Sequence, residues 1–308
     1  MGFGIAAPVI WASVAGVGFG CLGSAYRLGQ ARGVTPTQIG LVIAAVGCAV
    51  FGWRVRGQEW GAPEVVWVLG IGVGLSQYLV IRLIGPALAR GPLSPLWCAV
   101  NLGFVVAVVY AAVCLDERPS LAQYAGLAAA AGSVLAASLG QPGTTSPKGP
   151  AGREAGAAAV YGALLLLILG LNGLSPTFLK YLSAQPAAGG ISLVAAFADL
   201  YYLVFYATLA ILVFGDLLIT RAFHPRIMTL LGVGLLGGVG SVVGMGAWAL
   251  ASSLPAAVLF TVSSVVSILV AAVASVAGFG EKRSAAWHVT VGLAIAAVVL
   301  ANARWLGG

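Results

Sequence analysis

Runs of apolar residues, each long enough to cross a lipid bilayer, recur along the whole chain. A hydrocarbon core about 30 Å thick needs about 20 helical residues, and runs of about that length occupy most of the 308 residues. Hydrophobic residues make up 60% of the chain and charged residues only 7%, whereas a soluble domain carries about 25% charge. So few charges cannot solvate the surface of a globule of this size. The sequence therefore predicts an all-α polytopic membrane protein.

The spacing of the apolar runs predicts ten transmembrane helices. Barrel strands are excluded because they would need alternating segments of only about ten residues. A polar, Pro- and Gly-rich segment at 141–155 cannot lie in lipid as an irregular loop, so it is predicted to be a linker between a five-helix unit at 1–140 and another at 156–308. The predicted spans lie near 6–26, 35–53, 65–85, 93–115, 120–139, 156–178, 192–214, 227–250, 255–279 and 285–304.

An internal repeat relates the two units. The stretch Pro86–Ser138 is echoed by Trp248–Asn302, and a shift of 164 places Glu117 on Glu281. Each copy contains, in order, the tripeptide Ala-Leu-Ala at the end of a predicted helix, a Pro-containing turn, an apolar run, a short charged turn and a second apolar run. We call the charged turn, which is 116–118 in the first copy and 281–283 in the second, the charged elbow. Successive helices run antiparallel and five is odd, so the second copy enters the membrane from the opposite side. Inverted repeats of this kind are common in secondary transporters, which place the substrate at the repeat interface.

This order of features resembles the drug/metabolite transporter superfamily, and within it the EamA-type ten-helix carriers. The matching motifs are the Ala-Leu pairs, Pro92 and Pro255 at the entry to the fourth and ninth helices, and Glu117 and Glu281 before the fifth and tenth. The resemblance covers essentially the whole chain. It implies a secondary carrier with a central cavity, alternating access and cytoplasmic termini. It implies no single substrate, since members move amino acids, sugars, nucleotide-sugars, amines and drugs.

Two ionisable side chains inside predicted spans are candidates for substrate binding, because such groups are costly in lipid and are often functional. Asp199 lies well inside the seventh span. It is interpreted either as a proton-coupling or cation-binding site or as a structural acid bonded to a neighbouring helix. Arg82 lies late in the third span. Its planar guanidinium could donate two parallel hydrogen bonds to a carboxylate or phosphate of the substrate. Alternatively it snorkels to the surface or pairs with Asp199.

Further polar and aromatic side chains in the spans are predicted to line a substrate cavity. The alternative for the polar ones is hydrogen bonding between helices, and for the tryptophans a position at the membrane interface. Thr261, Ser264 and Ser267 recur at three-residue spacing and form one polar stripe. The full set adds to these Trp11, Gln77, Tyr78, Trp97, Asn101, Asn172, Tyr202 and Trp248.

The charged elbows are interpreted as helix caps. Glu117, with Ser120 as N-cap, is expected to stabilise the dipole of the helix that follows it, and the second copy is expected to do the same. Pro176 is predicted either to break the sixth helix and expose its carbonyls or to precede a simple span end at which Lys180 snorkels to the surface.

No catalytic or metal-binding constellation is visible, so an enzyme and a cofactor are not expected. His224 and His288 are the only histidines, and they lack metal-ligand spacing. All four cysteines fall inside apolar runs without a CxxC pair. The net charge of +7 is spread over short loops, which argues against nucleic-acid binding. The first apolar run has no basic region before it, so a cleaved signal peptide is not expected.

These observations predict a multi-pass transporter of the cell membrane. It would move a small polar metabolite, such as an amino acid, an amine or a sugar-like solute, by alternating access, coupled to protons or to exchange. Its partners would be the small-molecule substrate and the lipid bilayer, and a monomer would suffice. One alternative is a flippase for lipids or lipid-linked sugars on the same scaffold. The other is a membrane-embedded transferase.

Membrane orientation gives the first testable prediction. Cytoplasmic termini would place five basic residues inside and nine outside, which is opposite to the positive-inside rule. Three predicted spans separate Arg56 from Ser146, so Arg56→Cys and Ser146→Cys should react with an impermeant thiol reagent from opposite sides of the membrane. The side that labels Arg56→Cys decides the orientation. Labelling of both variants from one side would contradict the ten-span prediction, and the parent chain is the control.

Overall fold

A computed structural model describes residues 3–57, 60–88, 93–139, 151–222, 227–279 and 285–301, and these ranges are almost entirely helical. A helix covers each of the ten predicted segments, and the fourth segment is divided in two. The helices are α1 Phe3–Ala31, α2 Pro36–Arg54, α3 Glu64–Leu88, α4 Leu93–Leu102, α5 Phe104–Cys114, α6 Leu121–Leu139, α7 Ala151–Ala184, α8 Leu193–Thr220, α9 Ile227–Leu250, α10 Ala256–Phe279 and α11 Ala285–Ala301.

The helices have the length and surface of a membrane protein. Seven of them, α1, α2, α3, α7, α8, α9 and α10, are long and apolar enough to cross a bilayer. Large apolar side chains such as Val113, Ile211 and Ile219 remain mostly exposed on the outside of the bundle, as expected of a surface that faces lipid. The prediction of an all-helical polytopic membrane protein is therefore confirmed. Most of the predicted linker at 141–155 lies outside the described residues, and α7 already begins at Ala151.

The fourth predicted span differs from a single helix at Gly103. There the hydrogen bonds tighten to a three-residue spacing, from the Gly103 N–H to the Val100 carbonyl and from the Val106 N–H to the Gly103 carbonyl. At this turn the chain closely approaches α7. A Cβ atom on Gly103 would lie 3.1 Å from the backbone nitrogen of Gly173, and one on Gly173 would lie 2.7 Å from the Gly103 carbonyl oxygen.

Helices from the first and second halves of the chain pack against each other in matched pairs. α1 packs on α9 and α10, and correspondingly α7 packs on α3 and on α4 with α5. α2 packs on α9, and correspondingly α8 packs on α3. α2 also packs on α8, and α6 on α11. Each of the first five predicted spans has a counterpart among the last five. If every span is replaced by its counterpart, the same set of helix pairings results.

An ion pair between a buried lysine and a partly buried glutamate joins the halves at one end of the bundle. The Lys180 ammonium lies 2.7 Å from Glu117 Oε1 and donates to the Leu254 carbonyl at 2.7 Å. The backbone N–H of Ala256, the first residue of α10, donates to Glu117 Oε2 at 2.7 Å. Glu117 therefore caps a helix of the other half, and its predicted role in capping the following helix is wrong.

Two neighbouring predictions can also be compared with the structure. The capping role of Ser120 is confirmed, because its side chain accepts from the Gln123 N–H at 3.3 Å and its own N–H donates to Gln123 Oε1 at 2.8 Å. The prediction that Pro176 breaks the sixth helix is wrong, since α7 continues through it to Ala184. Lys180 is buried within that helix rather than snorkelling from its end.

The contact between α1 and α9 is tight enough to exclude a side chain. A Cβ atom on Gly18 would lie 2.5 Å from the Gly240 carbonyl oxygen, and a Cβ atom on Gly240 would lie 2.5 Å from the Gly18 carbonyl oxygen. Backbone atoms cannot move aside as the end of a flexible side chain can. Such close packing by small residues is how helices associate in lipid, where the hydrophobic effect does not drive them together.

Gly240→Ala should therefore destabilise the protein by about 1–3 kcal/mol through overpacking. Gly232→Ala, on the same helix, is the matched control, because a Cβ atom there meets open space. Its higher helix propensity should leave stability unchanged or raise it by up to about 1 kcal/mol. Thermal unfolding of the purified protein in detergent measures both. Equal melting temperatures for the two variants would contradict the close contact.

Lys180→Met should destabilise the protein by about 3–5 kcal/mol, because it leaves a partly buried carboxylate at Glu117 without its cation. The double variant Lys180→Met/Glu117→Gln should recover part of this loss, since it removes both charges. Arg118→Gln is the control: it breaks an exposed ion pair with Asp116 in the same loop, and such pairs contribute little. A double variant less stable than Lys180→Met would rule out this account.

Candidate functional site

A cavity of about 520 Å³ lies at the end of the bundle where α2 ends and α8 begins. We call this the Arg54 end, and the opposite end the Arg82 end. α2 of the first half and α7, α8 and α9 of the second half form its walls, and the loops before α8 and after α9 reach its edge. Small apolar residues make up much of the wall. The polar lining residues are Arg54, Ser183, Ser192, Asp199, Tyr202, Ser252 and Ser253.

An ion pair between α2 and α8 faces this cavity. Arg54 Nε lies 3.1 Å from Asp199 Oδ1, and the side chains are 53% and 17% exposed. The backbone of α8 departs from helical geometry close by, at Phe197, with φ −132° and ψ 16°. Irregular backbone within a membrane helix is tolerated where it lines a cavity or is covered by protein. Asp199 therefore sits on a locally distorted part of its helix.

Tyr202 provides a second polar group in the cavity wall. It follows Asp199 by three residues, so the two side chains share one face of α8. Its ring is 2% exposed and packs against Phe51, with the ring centroids 5.1 Å apart. Its hydroxyl has no hydrogen-bond partner among the residues that the structure describes. An unsatisfied buried hydroxyl costs about 1–3 kcal/mol, and this one is covered by protein atoms rather than open to the cavity.

Arg82 lies away from the cavity, at the Arg82 end of the bundle. Its Nη1 atom is 3.0 Å from both carboxylate oxygens of Asp216. The suggested pairing of Arg82 with Asp199 is therefore wrong, because each has another partner. Asp199 and Asp216 are 17 residues apart on α8, about 26 Å along a helix. An arginine from α2 and one from α3 thus hold α8 near its two ends.

Gln77 and Asn172 meet between α3 and α7. Gln77 Nε2 donates to Asn172 Oδ1 at 3.2 Å, and Asn172 Nδ2 donates to the Val100 carbonyl at 2.7 Å. The carbonyl belongs to the tightened turn beside Gly103. These two amides therefore bond neighbouring helices, which was the alternative to cavity lining for these residues. Asn101 follows Val100 on α4, and Tyr78 follows Gln77 and packs at the edge of the main apolar core.

Trp248 and the polar stripe of α10 lie among other helices. Trp248 Nε1 donates to Ser263 Oγ at 3.0 Å, and the indole contacts the ring of Phe19 at a centroid distance of 4.5 Å. Thr261 is fully buried, and its hydroxyl is unpaired within the described part of the chain. Ser267 is buried and Ser264 half-buried in the same helix.

Of the predicted substrate-binding residues, Asp199 and Tyr202 line the cavity. Trp11 is 40% exposed on α1, as a lipid-facing indole would be. Trp97 lies on α4, and its side chain lies outside the described part of the chain. The remaining candidates belong to contacts between helices and stay predictions as substrate-binding residues.

Sequence reasoning missed the partners of both aspartates. Arg54 lies one residue beyond the predicted span 35–53, although it is the last residue of α2. Asp216 lies two residues beyond the predicted end of its span, whereas α8 continues to Thr220. A carboxylate within the apolar run from 211 to 219 was the signal for Asp216. Ser192, Ser252 and Ser253 lie in short turns and Ser183 lies in the last turn of α7, where nothing in the local sequence marks them.

Comparison with known proteins identifies a shared fold. A crystal structure of another protein superimposes with a TM-score of 0.74 over 98% of this chain and 99% of its own, at 17% sequence identity. At that identity the likeness shows the fold alone. No family model and no curated protein matches the chain.

Proposed function

We propose that this protein is a secondary active transporter that moves a small polar solute through the cavity at the Arg54 end. The observation that carries the proposal is the composition of the cavity wall. It combines a helix of the first half with three of the second, and it holds an ion pair and hydroxyl groups beside a distorted helix. Polar groups and irregular backbone at the junction of two repeats are typical of transporter substrate sites.

The packing of the helices supports an inverted repeat of ten spans. Exchange of the two sets of five reproduces the helix pairings, as expected if one five-helix unit occurs twice around a pseudo-twofold axis. An EamA-type carrier of the drug/metabolite transporter superfamily, located in the cell membrane, fits this arrangement. In such a plan the two units rock about the central site and open it to each side in turn.

Coupling to protons or to exchange is proposed to act through Asp199. It faces the cavity, and its charge is balanced by Arg54 at 3.1 Å. A proton or a cationic group of the solute that binds the carboxylate competes with the guanidinium for it. Occupation of the site would then change the contact between α2 and α8, which come from different halves. This links binding to a rearrangement between the units.

Solute counterflow into proteoliposomes tests the proposal. Vesicles loaded with an unlabelled mixture of amino acids, amines and sugars should take up at least one of these solutes in labelled form. Asp199→Asn should reduce the uptake about tenfold or more, because it removes a charge-assisted contact. Asp116→Asn is the matched control, since this carboxylate lies in an exposed ion pair and does not line the cavity.

Three outcomes separate the functional classes. Uptake that depends on Asp199 supports the transporter. Movement of a fluorescent lipid between leaflets without any uptake of water-soluble solutes would instead indicate the flippase. Absence of both activities, in protein that elutes as a single species and unfolds cooperatively, would exclude transport by this cavity.

A further inference from the structure

We propose that the cavity at the Arg54 end binds a zwitterion of the α-amino acid type, with the solute's ammonium group against the Asp199 carboxylate and its carboxylate against the Arg54 guanidinium. This inference rests on the proposed function, because it names the class of solute for the same cavity.

The charges in the wall favour a solute without net charge. Arg54 contributes +1 and Asp199 contributes −1, and the other lining residues are uncharged, so the formal charge of the lining is zero. An amine or an acid would bring an unbalanced charge into a partly enclosed site, where charges are poorly solvated. A zwitterion brings one charge of each sign, and the site stays neutral when it is occupied.

The geometry of the ion pair also matches the solute. With Arg54 Nε at 3.1 Å from Asp199 Oδ1, the pair forms a short dipole along the wall. The ammonium and carboxylate groups of an α-amino acid are attached to one carbon, so the distance between them is similar to the distance between the charged groups of Arg54 and Asp199. The solute can therefore lie antiparallel to the pair. A guanidinium has five donors and a carboxylate about four acceptor sites, and the Arg54 side chain is 53% exposed, so it can contact a solute beside its existing partners.

Hydroxyl groups extend this recognition. Ser183, Ser252 and Ser253 contribute hydroxyl groups to the cavity lining. A hydroxyl both donates and accepts, so these groups can bond to either end of the solute. Ser192 caps α8 by accepting from the Ala195 N–H at 3.2 Å, and the positive end of this helix favours the solute's carboxylate nearby.

The rest of the wall limits the solute's side chain. Alanine, glycine, valine and leucine residues of α8 and α9 line the cavity beyond the ion pair, among them Ala195, Gly246 and Ala249. They offer no charge to a charged side chain. Nucleotides and other polyanions need several cations for recognition, whereas Arg54 is the one cation among the described lining residues. Amino acids with uncharged side chains therefore fit best.

Binding of matched sets of solutes to the purified protein tests the inference. Each set contains an amino acid, the same molecule without its carboxylate, and the same molecule without its ammonium group. For L-leucine the analogues are isopentylamine and 4-methylpentanoate, and sets based on L-alanine and L-phenylalanine control for side-chain size. Isothermal titration should show the amino acid binding at least about tenfold more tightly than either analogue. An analogue that binds as tightly as its amino acid would overturn the inference.

Two variants should change the preference in opposite directions. Arg54→Gln should shift it towards isopentylamine, because the Asp199 carboxylate then lacks its cation. Asp199→Asn should shift it towards 4-methylpentanoate, and Asp116→Asn should leave it unchanged. If the ion pair had only a structural role, both substitutions would weaken the binding of all three ligands alike. That result would overturn the assignment. Where a variant does not fold, the comparison of ligands on the unaltered protein still decides.

Failure of this inference is distinguishable from failure of the proposed function. If none of the three sets binds but another solute is taken up in counterflow, the protein is a transporter and the zwitterion assignment is wrong. If no solute of any class is taken up, the transporter proposal itself fails.

Discussion

Helices in lipid associate without a hydrophobic driving force, because the surrounding acyl chains are as apolar as the helix surfaces. The fold consequently depends on close approach between small residues. Gly18 and Gly240 bring the backbones of α1 and α9 together, and Gly103 and Gly173 do so for the turn between α4 and α5 and for α7. Each contact joins a helix of the first half to one of the second. These approaches hold the two halves together and position the polar groups between them.

The second constraint is the cost of charge in a medium of low dielectric constant. Asp199, Asp216 and Lys180 each have a partner of opposite charge on another element. The pairs of Asp216 and Lys180 join helices or loops away from the cavity lining. The pair of Asp199 faces a cavity, and it also lies beside serine hydroxyls of the cavity lining and a distorted turn of helix. This difference in surroundings, rather than the presence of a charge, distinguishes a candidate binding site from a structural contact.

Much of the fold could be predicted because hydropathy and helix length are local properties. The segments 35–53 and 227–250 were predicted within one residue of α2 and α9. The candidate site was predicted only in part. Asp199 and Tyr202 stand out within an apolar run, but Arg54 does not, because a basic residue at the end of a span is common. Glu117 was assigned to the wrong helix, since its partners Lys180 and Ala256 lie 63 and 139 residues further along the chain.

The sequence by itself determined the class of the protein and the positions of its helices, and its internal similarity predicted a repeat. These follow from composition, from the length of apolar runs and from internal similarity, each of which is read along the chain. The tertiary structure decided which charges pair, which amides bond neighbouring helices and where a cavity remains. Those outcomes depend on distances between residues far apart in sequence. Two arginines and two aspartates allow two sets of partners, and only the packing of α2 and α3 against α8 selects one.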